Sequence, residues 1–307
     1  MPPTLEHSTN SPLVQLLRAT FTINRIPETL GYNLAYFAIG IGLAPTTLLD
    51  IFKHNGLLVM VLFFAVMLSK MQASIADALH DQDLDAENPD KSFIANSITR
   101  IGDETAYTLL VVEIILGLLL WSWLTYSTNS LLYLICGTAI TLLGFLYSYP
   151  PRIKERGIFN HITTTAVDVI GVIVPIAILA NASLSGTAWV TLLAIFAYTF
   201  AYHVLHQAGD TYYDRQYGVS TFTQTIGVLR SVQLATVLSI TAGVILLWQS
   251  HLVGGLVLLA TSAGYWILSQ QLKGLSEREQ TDSVSRWFNI KWVATLLNGG
   301  VAVSLLL

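Results

Sequence analysis

Charge is scarce in this chain, and that scarcity narrows its class before any motif is read. Asp, Glu, Lys and Arg make up 11% of the 307 residues against 53% hydrophobic ones, and the mean hydropathy is +0.59. That is far more apolar surface than one water-soluble core requires. The net charge is −4, and no basic patch stands apart from the apolar segments, so nucleic-acid binding has no support. Cys136 is the single cysteine, which excludes an intrachain disulfide and leaves it a packing role. The first 25 residues lack the basic start, short apolar run and small-residue cleavage site of a signal peptide, and are expected to be retained. The apolar runs lack the alternation of a lipid-facing β-strand, which argues against a β-barrel.

What remains is a set of long apolar runs. A helix needs about 20 mostly apolar residues to cross the ~30 Å hydrocarbon core. Nine such stretches are expected, at 30–49, 56–76, 106–123, 131–146, 162–179, 188–202, 232–248, 253–268 and 287–307. The first is the weakest, because Asn33 and Pro45 interrupt it. The expected fold is therefore all-α: a polytopic membrane protein of nine transmembrane helices in a single bundle, spanning 26–307. Residues 1–25 form a separate interfacial segment, in which 11–21 set Leu13, Val14, Leu16, Leu17 and Phe21 beside Arg18, the pattern of a helix lying in the headgroup plane. Positive charge accumulates on the cytoplasmic flanks of membrane helices. Of the fifteen Lys and Arg, all but Lys53 fall on the N-terminal side of these crossings. That places the N-terminus in the cytoplasm and the C-terminus on the opposite side.

The polar loops of the cytoplasmic side hold two acidic sites, after the second and sixth stretches. The first carries Asp77, Asp81 and Asp85, the second His206, Asp210 and Asp214, both in steps of four. On a helix, residues four apart are stacked about 5–6 Å from one another, so each set would form a stripe of like charges that a shared cation relieves. Hard carboxylate oxygens suit Mg²⁺, which keeps waters and bridges to phosphates. Either site alone reads more readily as a solvated helix end; two on one face with one period reverse that reading, point to a joint site and suggest two related halves. Between them, Tyr147, Ser148, Tyr149, Pro150, Pro151, Arg152, Lys154, Arg156 and Gly157 form a helix stop followed by three cations able to neutralise a diphosphate. The positive-inside bias accounts for those cations about as well, and the same ambiguity attaches to Lys91.

These residues together resemble the UbiA family of intramembrane prenyltransferases, over about residues 25–305. The family's first motif, Asn-Asp-x-x-Asp-x-x-x-Asp followed by Asn-x-Pro-Asp-Arg, aligns with Asp77, Asp81, Asp85, Asn88, Asp90 and Lys91. Its Tyr-Ser-x-Pro-Pro-x-Arg-x-Lys-x-x-Gly stretch aligns with the run from Tyr147 to Gly157. Its second motif aligns with Asp210, Asp214, Arg215, Gly218 and Thr221. The sequence departs at Asp77 (usually Asn), Ala78 (Asp), Lys91 (Arg) and His206 (an acid).

The resemblance implies a Mg²⁺-dependent enzyme, with two ions held by Asp77, Asp81, Asp85, Asp210 and Asp214. It implies a prenyl diphosphate substrate contacted by Asn88, Lys91, Tyr147, Ser148, Arg152, Lys154, His206 and Arg215, and a lipophilic acceptor. Glu113 and Asp168, acids within the spans, are candidates for the base that removes the final proton, or are protonated and hydrogen-bonded to a neighbouring helix. His203 and His206 stand near the metal site. A terpene cyclase of the same family, a catalytically inactive scaffold and a transport protein are the competing functions.

Overall fold

The computed structural model describes residues 11–307 apart from 46, 88–90, 183 and 217. Among them the chain is helical, with no strand. In order, the helices are α1 (Pro12–Ile23), α2 (Ile26–Gly42), α3 (Leu48–His80), α4 (Gln82–Glu87), α5 (Ser92–Ile101), α6 (Asp103–Thr128) and α7 (Leu131–Ser148). A 3₁₀ turn (Ile153–Glu155) leads to α8 (Ile158–Ala166), a π turn (Val167–Ile173) and α9 (Val174–Leu179). There follow α10 (Gly186–Ala208), α11 (Thr211–Gln216), α12 (Phe222–Ile226), α13 (Val228–Trp248), α14 (Leu252–Gln271), α15 (Glu277–Trp287) and α16 (Ile290–Leu306).

Among the described residues seven helical spans are long and apolar enough to cross a membrane, or eight if α15 and α16, bent by 52° where they meet, count as one. α2 falls short of that length at 17 residues, although it packs inside the bundle against α16. The expected first span, 30–49, is corrected: α2 stops at Gly42, before Pro45, and Leu48 and Leu49 open α3 instead. Most of the other spans sit where the apolar runs place them but extend past their ends to a Gly or Pro stop, as at Gly102, Pro150, Gly209 and Gly227, whereas α16, expected from 287, begins at Ile290. α3, expected at 56–76, runs 33 residues with a kink at Asn55, whose side chain donates to the Leu179 carbonyl at 3.3 Å. Caps fix several boundaries: Thr47 accepts from the Asp50 N–H, and Thr221–Gln224 and Ser276–Glu279 form reciprocal capping boxes.

The packing closes on itself: α2 lies against α16, α16 against α14, α14 against α13, and α13 against α10. From there α10 lies against α8, the π turn against α7, and α7 against α3, which also carries α6. Tyr36, Leu62, Trp121, Ile173, Tyr198, Val232, Leu246 and Leu297 point into the shared core. Leu57, Phe64, Val111, Ile115, Leu193, Val244 and Leu296 are exposed on the outer faces, the inverse of a soluble protein and the arrangement lipid favours. Lipid tails are as apolar as leucine, so close contacts and polar stitches hold such helices together. Trp121 Nε1 donates to Ser69 Oγ at 3.1 Å, and Gln72 Nε2 to the Thr141 carbonyl at 3.0 Å.

The two halves suspected from the acids share a backbone device. Each acidic turn is followed by short helices and then a glycine in a conformation open to few other residues, Gly102 (φ 82°, ψ 146°) before α6 and Gly227 (φ 87°, ψ 152°) before α13. Gly137 has a different role, for a Cβ there would stand 2.1 Å from Trp121 Cγ. Gly137→Val is therefore expected to destabilise the bundle by about 1–3 kcal/mol in thermal unfolding of the detergent-solubilised protein. Gly264→Ala, where a Cβ meets open space, should leave the midpoint unchanged or slightly raised.

Candidate functional site

Both acidic sequences lie where long helices end. α3 stops at His80, Asp81 caps it in a non-helical conformation, and α4 starts afresh at Gln82. The backbone bonds Asp81 N–H to Asp77 carbonyl (2.9 Å) and Asp85 N–H to Asp81 carbonyl (2.7 Å) survive the bend. α10 likewise ends at Ala208, and α11 carries Asp214 after the turn at Asp210. The expectation of one straight carboxylate stripe per site is corrected: each is broken at its middle acid. The physical reason is that a helix C-terminus already carries partial negative charge, so added carboxylates there are relieved by ending the helix and recruiting cations.

The cations come from elsewhere in the chain. Arg25, between α1 and α2 with φ 48°, donates from Nη2 to Asp77 Oδ2 at 2.9 Å. Lys154, from the 3₁₀ turn, bridges Asp77 Oδ1 (3.1 Å) and Asp81. Ser148 Oγ donates to Asp77 Oδ1 at 2.7 Å, and Lys91 meets Asp210 Oδ2 at 3.5 Å. A cavity of about 130 Å³ opens between them. Arg25, Lys91 and Lys154, Asp77, Asp81, Asp210 and Asp214, and Tyr147 line one part; Asn160, His161, Thr164, His203, His206 and Gln207 also line it.

The remaining candidates divide. Asp85 is buried and its Oδ2 has no partner. Arg152 turns to Glu155 at 2.7 Å and Arg215 to Glu277 at 2.9 Å, so neither lines the cavity. Glu113 is buried on α6 away from it. Asp168 lies in the π turn, bonded to Lys70, Tyr36 and His203. Asn88 falls outside the described residues. Arg25 and Lys70 were missed as site residues. A lysine deep in the apolar stretch 56–76 was signal enough, since a charge there needs a partner; Arg25 gave none beyond its place before the first span.

Against its burial, cations hold the Asp77 carboxyl below its ordinary range, while burial dominates at Asp81, Asp85 and Asp214. Burial, reinforced by Asp77, pushes the Asp81 carboxyl above its ordinary range. Burial raises Asp85 to about 6 despite Lys91 and Arg25, and burial together with Asp210 raises Asp214 to about 7. Asp210 and Asp214 in turn hold the Lys91 ammonium above its usual value. Among the described residues no three His, Cys, Asp or Glu side chains are already gathered as a metal cage. The donor chemistry nevertheless fits a hard divalent cation: all-carboxylate oxygens, one orphaned and buried, and three carboxyls raised above their ordinary range.

The sequence matches the UbiA prenyltransferase family over residues 33–293. The chain belongs to that family. Its fold is similar to a UbiA homologue from Archaeoglobus fulgidus bound to GPP and Mg²⁺, with TM-score 0.63 and 15% identity, covering 96% of this chain and 99% of that one. It is also similar to the apo UbiA homologue from Aeropyrum pernix K1, with TM-score 0.55 and 16% identity over 94% and 98% of the two chains. A structure described as digeranylgeranylglyceryl phosphate synthase in membranes aligns with TM-score 0.55 and 16% identity, over 95% of this chain and 99% of that one. No curated protein sequence matches the chain.

In this UbiA member the raised carboxyls give a pH dependence with a definite sign. Asp85 and Asp214 bind protons more tightly folded than unfolded, so the contribution they make to stability is present at acid pH and is lost as pH rises through about 6 to 7. Without divalent cations, the thermal midpoint is expected to fall between about pH 5 and 8. Asp214→Asn should flatten that slope, and a divalent cation should restore the wild-type midpoint at the alkaline end; a slope unaffected by Asp214→Asn would count against the assignment.

Proposed function

We propose that the chain is an intramembrane prenyltransferase that uses Mg²⁺ to ionise a prenyl diphosphate and transfers the isoprenyl group to a lipophilic acceptor. The observation that carries this reading is one cavity in which two separate acidic turns meet three buried or half-buried cations. A diphosphate with its metal requires both signs of charge in one place; an ordinary helix end requires neither. The A. fulgidus homologue bound to GPP and Mg²⁺ supports the same reading of this site.

Asp77, Asp81, Asp85, Asp210 and Asp214 would hold the metal, two ions by analogy with the family. When bound, Mg²⁺ supplies neutralisation of the charge that develops on the leaving diphosphate. The protein's own groups do the rest. Arg25, Lys91 and Lys154 bind diphosphate oxygens in a partly exposed cavity, where each charge counts for more than in open water. Tyr147 offers an aromatic face to the allylic cation, an interaction of about 0.5–2 kcal/mol. Ser148 and Arg25 hold Asp77 in place. α1 exposes Leu13, Leu17 and Phe21 and would lie in the headgroup plane, with the N-terminus and the acidic cavity cytoplasmic and the C-terminus opposite. The cavity's place at helix ends argues against transport, whose sites lie near the bilayer midplane.

The reading is tested by diphosphate release from lipid-reconstituted protein given geranyl, farnesyl or geranylgeranyl diphosphate. Release is expected to require Mg²⁺ and to fall about 100-fold, roughly 2.7 kcal/mol, in Asp81→Ala and in Asp210→Ala. Dependence on added membrane lipid extract indicates a transferase, whereas a hydrocarbon product formed without it indicates a cyclase; folded protein that releases nothing overturns both. Orientation is read in a Cys136→Ser background: an impermeant thiol reagent added to intact cells should label Tyr126→Cys and spare Arg278→Cys, and the reverse pattern would invert the topology.

A further inference from the structure

Beneath the charged part of the cavity lies a polar cluster that diphosphate binding does not use. Asp168 is buried in the π turn, where the Val174 N–H reaches back five residues to the Val169 carbonyl. Such turns inside α-helices recur at functional sites. Asp168 Oδ1 accepts from Lys70 Nζ at 2.5 Å, and Oδ2 from the Tyr36 hydroxyl at 3.0 Å and His203 Nε2 at 3.1 Å. The Tyr36 and Tyr202 hydroxyls are paired, and Lys70 lies over the Tyr32 and Tyr36 rings at 5.2 and 5.3 Å. A carboxylate among membrane-spanning helices is costly and marks function by default. Lys70 already compensates its charge, so the histidine is not needed for neutrality.

Of Asp168, Lys70, Tyr36, Tyr202 and His203, only His203 lines the cavity. Its Nε2 faces a carboxylate, so that nitrogen carries the hydrogen and Nδ1 keeps its lone pair. This is the way a carboxylate fixes the tautomer of a catalytic base. The wall around His203 differs in kind from the acid-and-cation part: Asn160, His161, Thr164 and Gln207 offer amides, an imidazole and a hydroxyl. His161 Nε2 is already engaged with Gln207 Oε1 at 2.9 Å. Asn160 is 3% exposed and its Oδ1 has no partner. A buried acceptor left open beside a base is matched by an O–H donor.

We propose that the prenyl acceptor presents an uncharged hydroxyl to this wall and that His203, held by Asp168, takes its proton. The inference rests on the prenyl-transfer reading. The C1–O bond of the prenyl diphosphate breaks and its electron pair leaves with the diphosphate. The hydroxyl oxygen, its hydrogen directed at Asn160 or His203, bonds to C1, and its proton passes to His203 Nδ1. Asp168, which faces Lys70, Tyr36 and His203, is a positioning residue and steadies the imidazolium as it forms. An anionic acceptor would need a cation of its own on this wall, and the cations lining the cavity, Arg25, Lys91 and Lys154, are the ones the diphosphate takes.

Water is the smallest uncharged hydroxyl, which makes the test independent of the natural acceptor. Geranylgeranyl diphosphate carrying ¹⁸O at the C1 bridge is incubated with Mg²⁺ and the full-length protein in lipid nanodiscs. Scrambling of the label into non-bridging positions reports ionisation, and geranylgeraniol reports capture. His203→Ala, or His203→Gln where the first does not fold, is expected to raise the ratio of scrambling to capture about tenfold. An unchanged ratio overturns the proposal. Independently of turnover, ¹⁵N NMR of histidine-labelled protein should show His203 as a neutral imidazole protonated at Nε2, with that preference lost in Asp168→Asn. The opposite tautomer, or an imidazolium at neutral pH, overturns it too. Wild-type protein that neither scrambles nor releases diphosphate counts against prenyl transfer itself and leaves the tautomer to decide the role of His203.

Discussion

The carboxylate of Asp77 is the point on which the acidic end of the bundle depends. It accepts from Arg25, Lys154 and Ser148, tying the start of α2, the end of α7 and the turn after the two prolines to the last turn of α3. Its side chain is 14% exposed and that of Lys154 9%, so neither charge is well hydrated. Removing one partner from such a pair costs about 3–5 kcal/mol, because the other is left buried and uncompensated. Contacts of this kind are weak evidence for net stability and strong evidence for geometry: they set where the cations stand relative to Asp81 and the second acidic turn.

That constraint explains why the acids do not form the continuous stripes that their spacing suggests. Three carboxylates stacked on one helical face would repel along its whole length, at the end where the helix dipole also repels them. Ending α3 at His80 and α10 at Ala208 moves Asp85 and Asp214 onto separate short helices; the i to i+4 backbone bonds continue through Asp81, whereas the Asp210 N–H tightens onto the Gln207 carbonyl before its own carbonyl accepts from Asp214. The bends turn the acids of the two halves toward one cavity. Gly102 and Gly227, each in a conformation that a side chain would strain, then return the chain into the next span in the same way on both sides. The two acidic turns thus share a backbone feature that no sequence repeat displays.

How much of this was legible in the sequence follows from what each signal depends on. Continuous apolar runs depend only on composition, so among the described residues seven of the nine expected spans stand as helices long enough to cross and an eighth as the bent pair α15 and α16, while 30–49 is divided where Pro45 separates α2 from α3 and leaves α2 short. The acids were legible because spacing and charge are local. Arg152 and Lys154 look alike in sequence, two positions apart in one loop. The fold sends Lys154 into the cavity at 8% exposure and leaves Arg152 on Glu155, and nothing local separates them. Arg25 and Lys70 were counted only as topological charges because their partners, Asp77 and Asp168, lie 52 and 98 residues away.

The two polar centres differ in their surroundings. Around the acidic turns the cations are multiple and partly wet, which suits a charged group that must arrive from water and leave again. Around Asp168 the partners are one lysine, one tyrosine and one histidine, with Tyr202 paired to that tyrosine, all packed between α2, α3, α10 and the π turn. There a carboxylate is compensated once and has hydrogen-bonding capacity to spare. A base that works beside an allylic cation must be neutral until the proton arrives and then be stabilised without repelling the cation. An imidazole backed by a carboxylate that is itself balanced by Lys70 satisfies both requirements, and a carboxylate standing alone in the same apolar setting would satisfy neither.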